Sequence, residues 1–116
     1  MIKVGLVGYG TIGKRVADAV SKQKDMNLVG ITGHTYDFKM EVAKIKGFKI
    51  FMTGDKEEFI KNNVKPEGDL NNLIDDADVI IDCTPKKIGK ENKEKYYLPK
   101  KTKAIFQGGE KHETAD

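Results

Sequence analysis

Val4-Gly5-Leu6-Val7-Gly8-Tyr9-Gly10-Thr11-Ile12-Gly13-Lys14-Arg15 decides the fold of this 116-residue chain. An apolar run leads into glycines 8, 10 and 13, spaced G-x-G-x-x-G, and a helical pattern starts directly after them. This spacing lets bare backbone approach a pyrophosphate. Gly8 permits the tight turn out of the strand, Gly10 has no Cβ to obstruct a phosphate, and Gly13 lets the next helix lie close to the sheet. The helix N-terminus adds unpaired N–H groups and a partial positive charge. The loop Gly8-Tyr9-Gly10 is thus the first candidate cofactor contact.

Working outward, Ile2, Val4, Leu6 and Val7 form a strand apolar enough to be covered on both faces, as in a parallel sheet. From Thr11 the period changes to helical, with Ile12, Val16, Ala19 and Val20 recurring to about Lys22. Leu28 to Thr32 is the second strand. Asp37 is placed to cap a helix with Phe38, Val42 and Ile45 on its inner face, and Gly47 to end it. Phe48, Ile50 and Phe51 mark the third strand. A short helix from Asp55 to about Asn62 is expected to turn Phe59 and Ile60 inward. Asp69 caps a helix carrying Leu70, Leu73 and Ile74. Asp78 to Cys83 is the fourth strand, stopped at Thr84-Pro85. A lysine-rich helix follows, with Ile88, Asn92 and Tyr96 along one side and Ile88 and Tyr96 assigned to the core. Thr102 to Phe106 is the fifth strand and leads into Gln107-Gly108-Gly109. The alternation predicts an α/β fold: a Rossmann-like, doubly wound parallel sheet of about five strands with helices on both faces. Residues 1–109 are expected to form this domain, and 110–116 a polar tail.

Composition narrows the function. One cysteine, Cys83, excludes an internal disulfide, and two histidines with it make no zinc pattern. No apolar run approaches the roughly 18 residues of a membrane helix, and no signal peptide is evident, so a cytoplasmic protein without a membrane partner is expected. The net charge is +3, and Arg15 is the only arginine among 21 basic residues. That balance argues against nucleic-acid recognition, which favours bidentate arginine contacts. Lys86, Lys87, Lys90, Lys93, Lys95, Lys100, Lys101 and Lys103 crowd the late helix and read as a solvated face.

The carboxyl ends of the strands are where a ligand should lie. At the second strand, Gly30-Ile31-Thr32-Gly33-His34-Thr35 lacks the Asp or Glu that would hold the 2′-hydroxyl of NAD. NADP is therefore admissible, with Thr32, His34 and Thr35 able to reach a 2′-phosphate, although no Lys or Arg adjoins them. His34 reads more simply as a solvent-facing loop residue. At the fourth strand, Thr84 is a candidate cofactor contact, and Cys83 reads as a packed thiol rather than a nucleophile. Gln107, Gly108 and Gly109 allow close backbone approach to a ligand at the fifth.

Three stretches together resemble the N-terminal part of the archaeal-type (class II) glyceraldehyde-3-phosphate dehydrogenases: Gly8 to Val20, Asp82-Cys83-Thr84-Pro85 with Ile88-Gly89, and Lys103 to His112. The resemblance spans essentially the whole chain. It implies a cytoplasmic, homotetrameric enzyme that oxidises glyceraldehyde 3-phosphate with NAD or NADP and phosphate, through a cysteine thiolate. It further implies that Thr11 and Ile12 contact the pyrophosphate through backbone, that Thr84 and Pro85 border the nicotinamide half, and that Gly109 touches the cofactor. Two departures are local: the family usually has Asn at Val7 and Lys at Gly33. The third is larger. The family's nucleophile lies in a Ser-Cys-Asn-Thr-Thr segment beyond the Gln-Gly-Gly stretch, which these 116 residues do not contain. The chain is therefore expected to hold cofactor without catalysing by itself, with no catalytic residue of its own. The alternatives are the N-terminal domain of another Rossmann oxidoreductase, such as one like dihydrodipicolinate reductase or a semialdehyde dehydrogenase, and a stand-alone dinucleotide-binding module.

Overall fold

The computed structural model describes residues 1–34, 38–53, 56–61 and 65–107. Its elements alternate as expected: β1 (Ile2–Val7), α1 (Thr11–Ser21), β2 (Met26–Gly33), α2 (Phe38–Ile45), β3 (Ile50–Met52), α3 (Lys56–Lys61), α4 (Leu70–Asp76), β4 (Val79–Asp82), α5 (Lys86–Asn92) and β5 (Ala104–Phe106). A single π-helical turn, Lys93–Tyr97, extends α5. The five strands are all parallel, in the order β3-β2-β1-β4-β5. The strand order reverses at β1, between β2 on one side and β4 on the other.

Period-two alternation divides the core between the two faces. Leu6, Ile31 and Ile50 point to one face, where they join Ala17, Met40, Ala43 and Phe59. Their neighbours Val7 and Phe51 point to the other, with Ile80, Leu70, Leu73, Ile74 and Tyr97. A strand buried on both sides has no polar position to spare, which is why the buried part of β1, Val4 to Val7, reads as continuously apolar. Asp69 caps α4 as its sequence promised, accepting from the Asn72 amide at 3.1 Å, while Asn72 returns a bond to the Asp69 N–H. Gly47, with φ of 81°, ends α2. Its N–H donates to Lys44 O and that of Phe48 to Ala43 O, the paired bonds of a left-handed helix stop.

Three helix faces differ from expectation. In α2, Phe38 and Ile45 are each 78% exposed, and Met40 and Ala43 turn inward instead. The cause is Gly33: a Cβ there would lie 2.2 Å from Met40 Sδ, so the missing side chain makes the space that Met40 fills. In α3, Phe59 is fully buried but Ile60 is exposed. After β4, Gly89 and Tyr97 face the core, leaving Ile88 exposed and Tyr96 half-buried. The expected cap at Asp37, the expected helix ends at Asp55 and Asn62, and the tail 110–116 lie outside the described residues.

One buried carboxylate ties the β4 side together. Asp82 is wholly inaccessible to solvent. Its Oδ1 accepts from the Thr84 amide at 2.9 Å and the Thr84 hydroxyl at 2.5 Å. Its Oδ2 accepts from Asn92 Nδ2 at 3.1 Å and the Tyr97 hydroxyl at 2.5 Å. Its backbone carbonyl accepts from Gln107 N–H at 2.7 Å, beside β5. A buried carboxylate is costly unless its lone pairs are filled, and here both oxygens are doubly engaged.

Tyr9 is the opposite case. Its ring packs edge-on against Phe48, with centroids 6.3 Å apart, but its buried hydroxyl has no hydrogen-bond partner among the described residues. Burial pushes its phenol above the usual 10.0; the Lys46 ammonium opposes the shift and the Asp18 carboxylate adds to it. Lys46 is itself raised above 10.5 by its bond to Asp18, at 2.7 Å. Both folded groups hold their protons more tightly than the unfolded chain does. The stability tied to them is complete below pH 10 and is lost as pH rises through the folded values.

Two outcomes are expected in urea denaturation. Asp82→Ala strands the Tyr97, Asn92 and Thr84 donors and lowers stability by about 3 kcal/mol or more. Tyr9→Phe removes an unpaired polar atom, raises stability by about 1 kcal/mol at pH 7, and makes the loss above pH 10 shallower.

Candidate functional site

The carboxyl ends of β1, β2 and β4 open into a groove of about 610 Å³. It lies at the point where the strand order reverses, the usual ligand position in such a sheet. It is lined on one side by the Gly8-Tyr9-Gly10 loop.

Steric economy shapes that loop. Gly8 has φ of 91°, a conformation that L side chains avoid, and a Cβ on it would meet Thr84 Cγ2 at 2.9 Å. Gly13 is held against the loop so closely that a Cβ would stand 2.0 Å from Gly8 O. Gly10 is the reverse: a Cβ there would meet nothing within 4 Å, because its Cα backs onto the open groove. Gly10 also precedes α1, whose N-terminus receives no side-chain cap and has no acidic residue in its first turn. Thr11 and Ile12 form that turn and are exposed, so their N–H groups are available to an anion.

The opposite wall comes from β4 and α5. Thr84 and Pro85 line the groove, Thr84 turning its hydroxyl to Asp82 and its methyl toward Gly8. Ile88, Asn92, Lys95 and Tyr96 continue the wall, and Leu70 of α4 adjoins it. Lys95 Nζ stands 5.4 Å from the centre of the Tyr96 ring. Ile88 and Tyr96, assigned to the core from their spacing, therefore supply apolar surface to the groove.

The remaining candidate residues fare differently. Thr32 lines the groove but is buried, and its hydroxyl accepts the Gly8 N–H at 3.0 Å. It thus braces the glycine loop against β2 rather than presenting its hydroxyl to solvent. His34 is exposed at the rim, with Nδ1 3.4 Å from Thr53 Oγ1. Cys83 is buried in the same apolar cluster as Leu6 and Ala17. Cys83 also contributes to the lining of the groove, and its amide donates to Val7 O at 2.7 Å. Gln107 is exposed and is held by its backbone N–H to Asp82. Thr35, Gly108 and Gly109 lie outside the described residues. Two residues escaped sequence reasoning. Asp82 carried a signal, a carboxylate inside the apolar run Val79-Ile80-Ile81. Lys39 carried none, since only the docking of α2 brings it to the groove.

A φ-positive turn at Gly8, open space over Gly10 and the uncapped start of α1 follow one another at this side of the groove. Among the described residues no helix is long and apolar enough to cross a membrane.

Comparison with known proteins agrees with this geometry. The family described as dihydrodipicolinate reductase, N-terminus, matches residues 2–106. Proteins named glyceraldehyde-3-phosphate dehydrogenase match all or nearly all of the chain. The one from Pyrobaculum arsenaticum is 50% identical over 117 residues, covering 100% of this chain and 34% of that protein. The one from Methanocaldococcus jannaschii is 49% identical over 113 residues, covering 94% of this chain and 33% of that protein. The chain thus spans about a third of the length of these curated relatives. Among solved structures, an NAD-binding protein from Listeria innocua has a TM-score of 0.61 at 21% identity, over 90% of this chain and 26% of that one. Apo scyllo-inositol dehydrogenase from Lactobacillus casei has a TM-score of 0.64 at 18% identity, over 91% of this chain and 28% of that one. These two show the Rossmann-like fold. The chain belongs to the dihydrodipicolinate reductase N-terminal domain family, and within it carries the region shared with archaeal glyceraldehyde-3-phosphate dehydrogenases.

Proposed function

We propose that this chain is the NAD(P)-binding part of a phosphorylating glyceraldehyde-3-phosphate dehydrogenase. Residues 1–109 are the binding unit, and 110–116 are a polar tail outside it by sequence. The whole-length similarity to archaeal enzymes of that name favours this reading over another Rossmann oxidoreductase. The observation that carries it is Gly10, whose Cα faces open groove beside the uncapped start of α1.

The pyrophosphate rests on the backbone of Gly8, Tyr9 and Gly10 and takes the N–H groups of Thr11 and Ile12. Gly13 seats the helix, and Thr32 steadies the loop. Thr84 and Pro85 border the nicotinamide half, and Gln107, Gly108 and Gly109 are assigned to the same cofactor. Ile88, Leu70 and Tyr96 offer apolar surface to an aromatic base. When bound, the dinucleotide supplies a hydride acceptor; the chain's own residues bind it and orient it. Glyceraldehyde 3-phosphate, phosphate and a homotetrameric assembly belong to the proposal for the full enzyme. Cys83, though it borders the groove, is a buried thiol clustered with Leu6 and Ala17 and is given no part in the chemistry.

Calorimetric titration of the 116-residue chain with NAD and NADP tests this. Gly10→Ala has room for its methyl group and should change stability by no more than about 1 kcal/mol, the scale of a weakened N-cap. It should weaken dinucleotide binding tenfold or more. Unaltered binding by Gly10→Ala contradicts the cradle, and aldehyde oxidation that disappears in Cys83→Ser contradicts the place given to that thiol.

A further inference from the structure

We infer that the π-helical turn Lys93–Tyr97 is a one-residue register slip that shapes the groove: it hands the core position to Tyr97 and so leaves Tyr96 to contact the bound dinucleotide. Tyr97 is a positioning residue, acting through Asp82, and Tyr96 is the contact it places. The inference rests on the dinucleotide reading above and goes further, to what sets the α5 wall of that site.

An α-helix returns to the same side after four residues and again after seven. Counted from the buried Gly89, the seventh residue is Tyr96; counted from Asn92, which reaches Asp82, the fourth is again Tyr96. An uninterrupted helix would therefore bury Tyr96. The residue that is buried is Tyr97, 2% exposed, and Tyr96 is half-buried. The offset is one residue, and the turn between supplies it. The Leu98 N–H donates to Lys93 O at 2.9 Å, five residues back, the spacing of a π-helix. The wider turn lets Asn92 Nδ2 and the Tyr97 hydroxyl, five residues apart, meet on the same oxygen, Asp82 Oδ2.

Tyr96 and Tyr97 carry the same ring and hydroxyl, so their chemistry does not choose between the two registers. The surroundings of Tyr97 do. Its ring packs against Phe106 of β5, with centroids 5.9 Å apart. Its carbonyl accepts from the Thr102 N–H at 2.8 Å, while Leu98 O accepts from the Lys101 N–H at 3.1 Å. These are the paired bonds of a helix stop, and Lys101 has the positive φ, 55°, that such a stop requires. The stop closes on Tyr97 and Leu98, and so fixes the length of chain that remains to reach β5.

Displaced from the core, Tyr96 lines the groove and also borders a hollow of about 120 Å³ beside Met52, Asp69 and Leu70. The core therefore encloses only part of its ring. Lys95, exposed and lining the same groove, holds its ammonium 5.4 Å from the ring centre, a cation–π contact made within the turn itself. A half-buried aromatic side chain at a groove wall offers a flat apolar surface to a ring of the ligand. Short π-helical turns within α-helices are frequent at functional sites. Here the turn exposes a side chain that regular periodicity would bury.

Nitration of the full chain with tetranitromethane, mapped by peptide mass, tests the slip, and titration with NAD and NADP tests the contact. In the wild type Tyr96 should be nitrated much faster than Tyr97, and a saturating dinucleotide should slow it. Tyr97→Phe keeps the ring on Phe106 but gives up the hydroxyl, so the Tyr96 hydroxyl takes its place on Asp82. Nitration of Tyr96 should then slow without ligand, and dinucleotide affinity should fall. Tyr96→Ala leaves the bonds of Asp82 untouched, so circular dichroism and the urea midpoint should match wild type; its affinity should fall about fivefold, the scale of one lost aromatic contact. Tyr96→Phe keeps the ring at the wall and should bind as wild type does. Unchanged or faster nitration of Tyr96 in Tyr97→Phe overturns the slip. Unslowed nitration of Tyr96 under saturating dinucleotide, or unaltered affinity in Tyr96→Ala, overturns the contact and leaves the dinucleotide reading standing. Binding of neither cofactor by the folded wild type overturns that reading and the contact together, while nitration of Tyr97→Phe still decides the slip.

Discussion

The start of α1 lies against the end of β1 at a distance that only glycine permits. A Cβ on Gly13 would stand 2.0 Å from the Gly8 carbonyl oxygen. The remaining features of the site follow from that contact. With the helix this close, the chain between must reverse tightly, which requires positive φ at Gly8. The reversal leaves Gly10 facing empty space and points the uncapped helix N-terminus at the same space. The Gly8 amide is not wasted in the turn but is held by the Thr32 hydroxyl, so the loop is braced on β2. A helix set even slightly further out would break each of these relations.

The facing wall is held by polarity instead of close contact. Asp82 gathers four side-chain and loop donors at a position with no solvent exposure. Its hydrogen bonds connect the Thr84 turn, α5 and the π-helical turn, and its carbonyl receives Gln107 beyond β5. Neutral donors around one carboxylate make the geometry directional in a way that apolar packing is not. Thr84 joins the two walls: its hydroxyl serves Asp82 while its methyl bears on Gly8. The position of the groove-facing loop after β4 is thus set by a residue that does not itself line the groove.

Much of this could be read from residues in order. The strand–glycine–helix unit, the alternation that gives five parallel strands, the Asp69 cap with Leu70, Leu73 and Ile74, and the stop at Gly47 are local or periodic signals. Helix faces were less legible. Phe38, Val42 and Ile45 form the more hydrophobic stripe of α2, yet Met40 and Ala43 are buried, because the hole left at Gly33 lies opposite them. On α5, Gly89 takes an inward position without contributing any hydrophobicity, so Ile88 and Tyr96 appeared to be the core face when Tyr97 is. A small residue is silent in a periodicity and decisive in packing.

The sequence by itself determined the Rossmann-like plan and the glycine loop, since both rest on backbone freedom and on apolar spacing along the chain. It also marked Cys83 as a packed thiol. What only the tertiary structure decided is which distant side chains share the groove. Lys39 is six residues beyond the end of β2 and carries no motif; the fit of Met40 into the space over Gly33 brings it to the rim. Tyr96 and Ile88 reach the groove because Tyr97 is drawn to Asp82. Such placements depend on a hole in one element and a side chain in another, and neither is visible until the two are packed together.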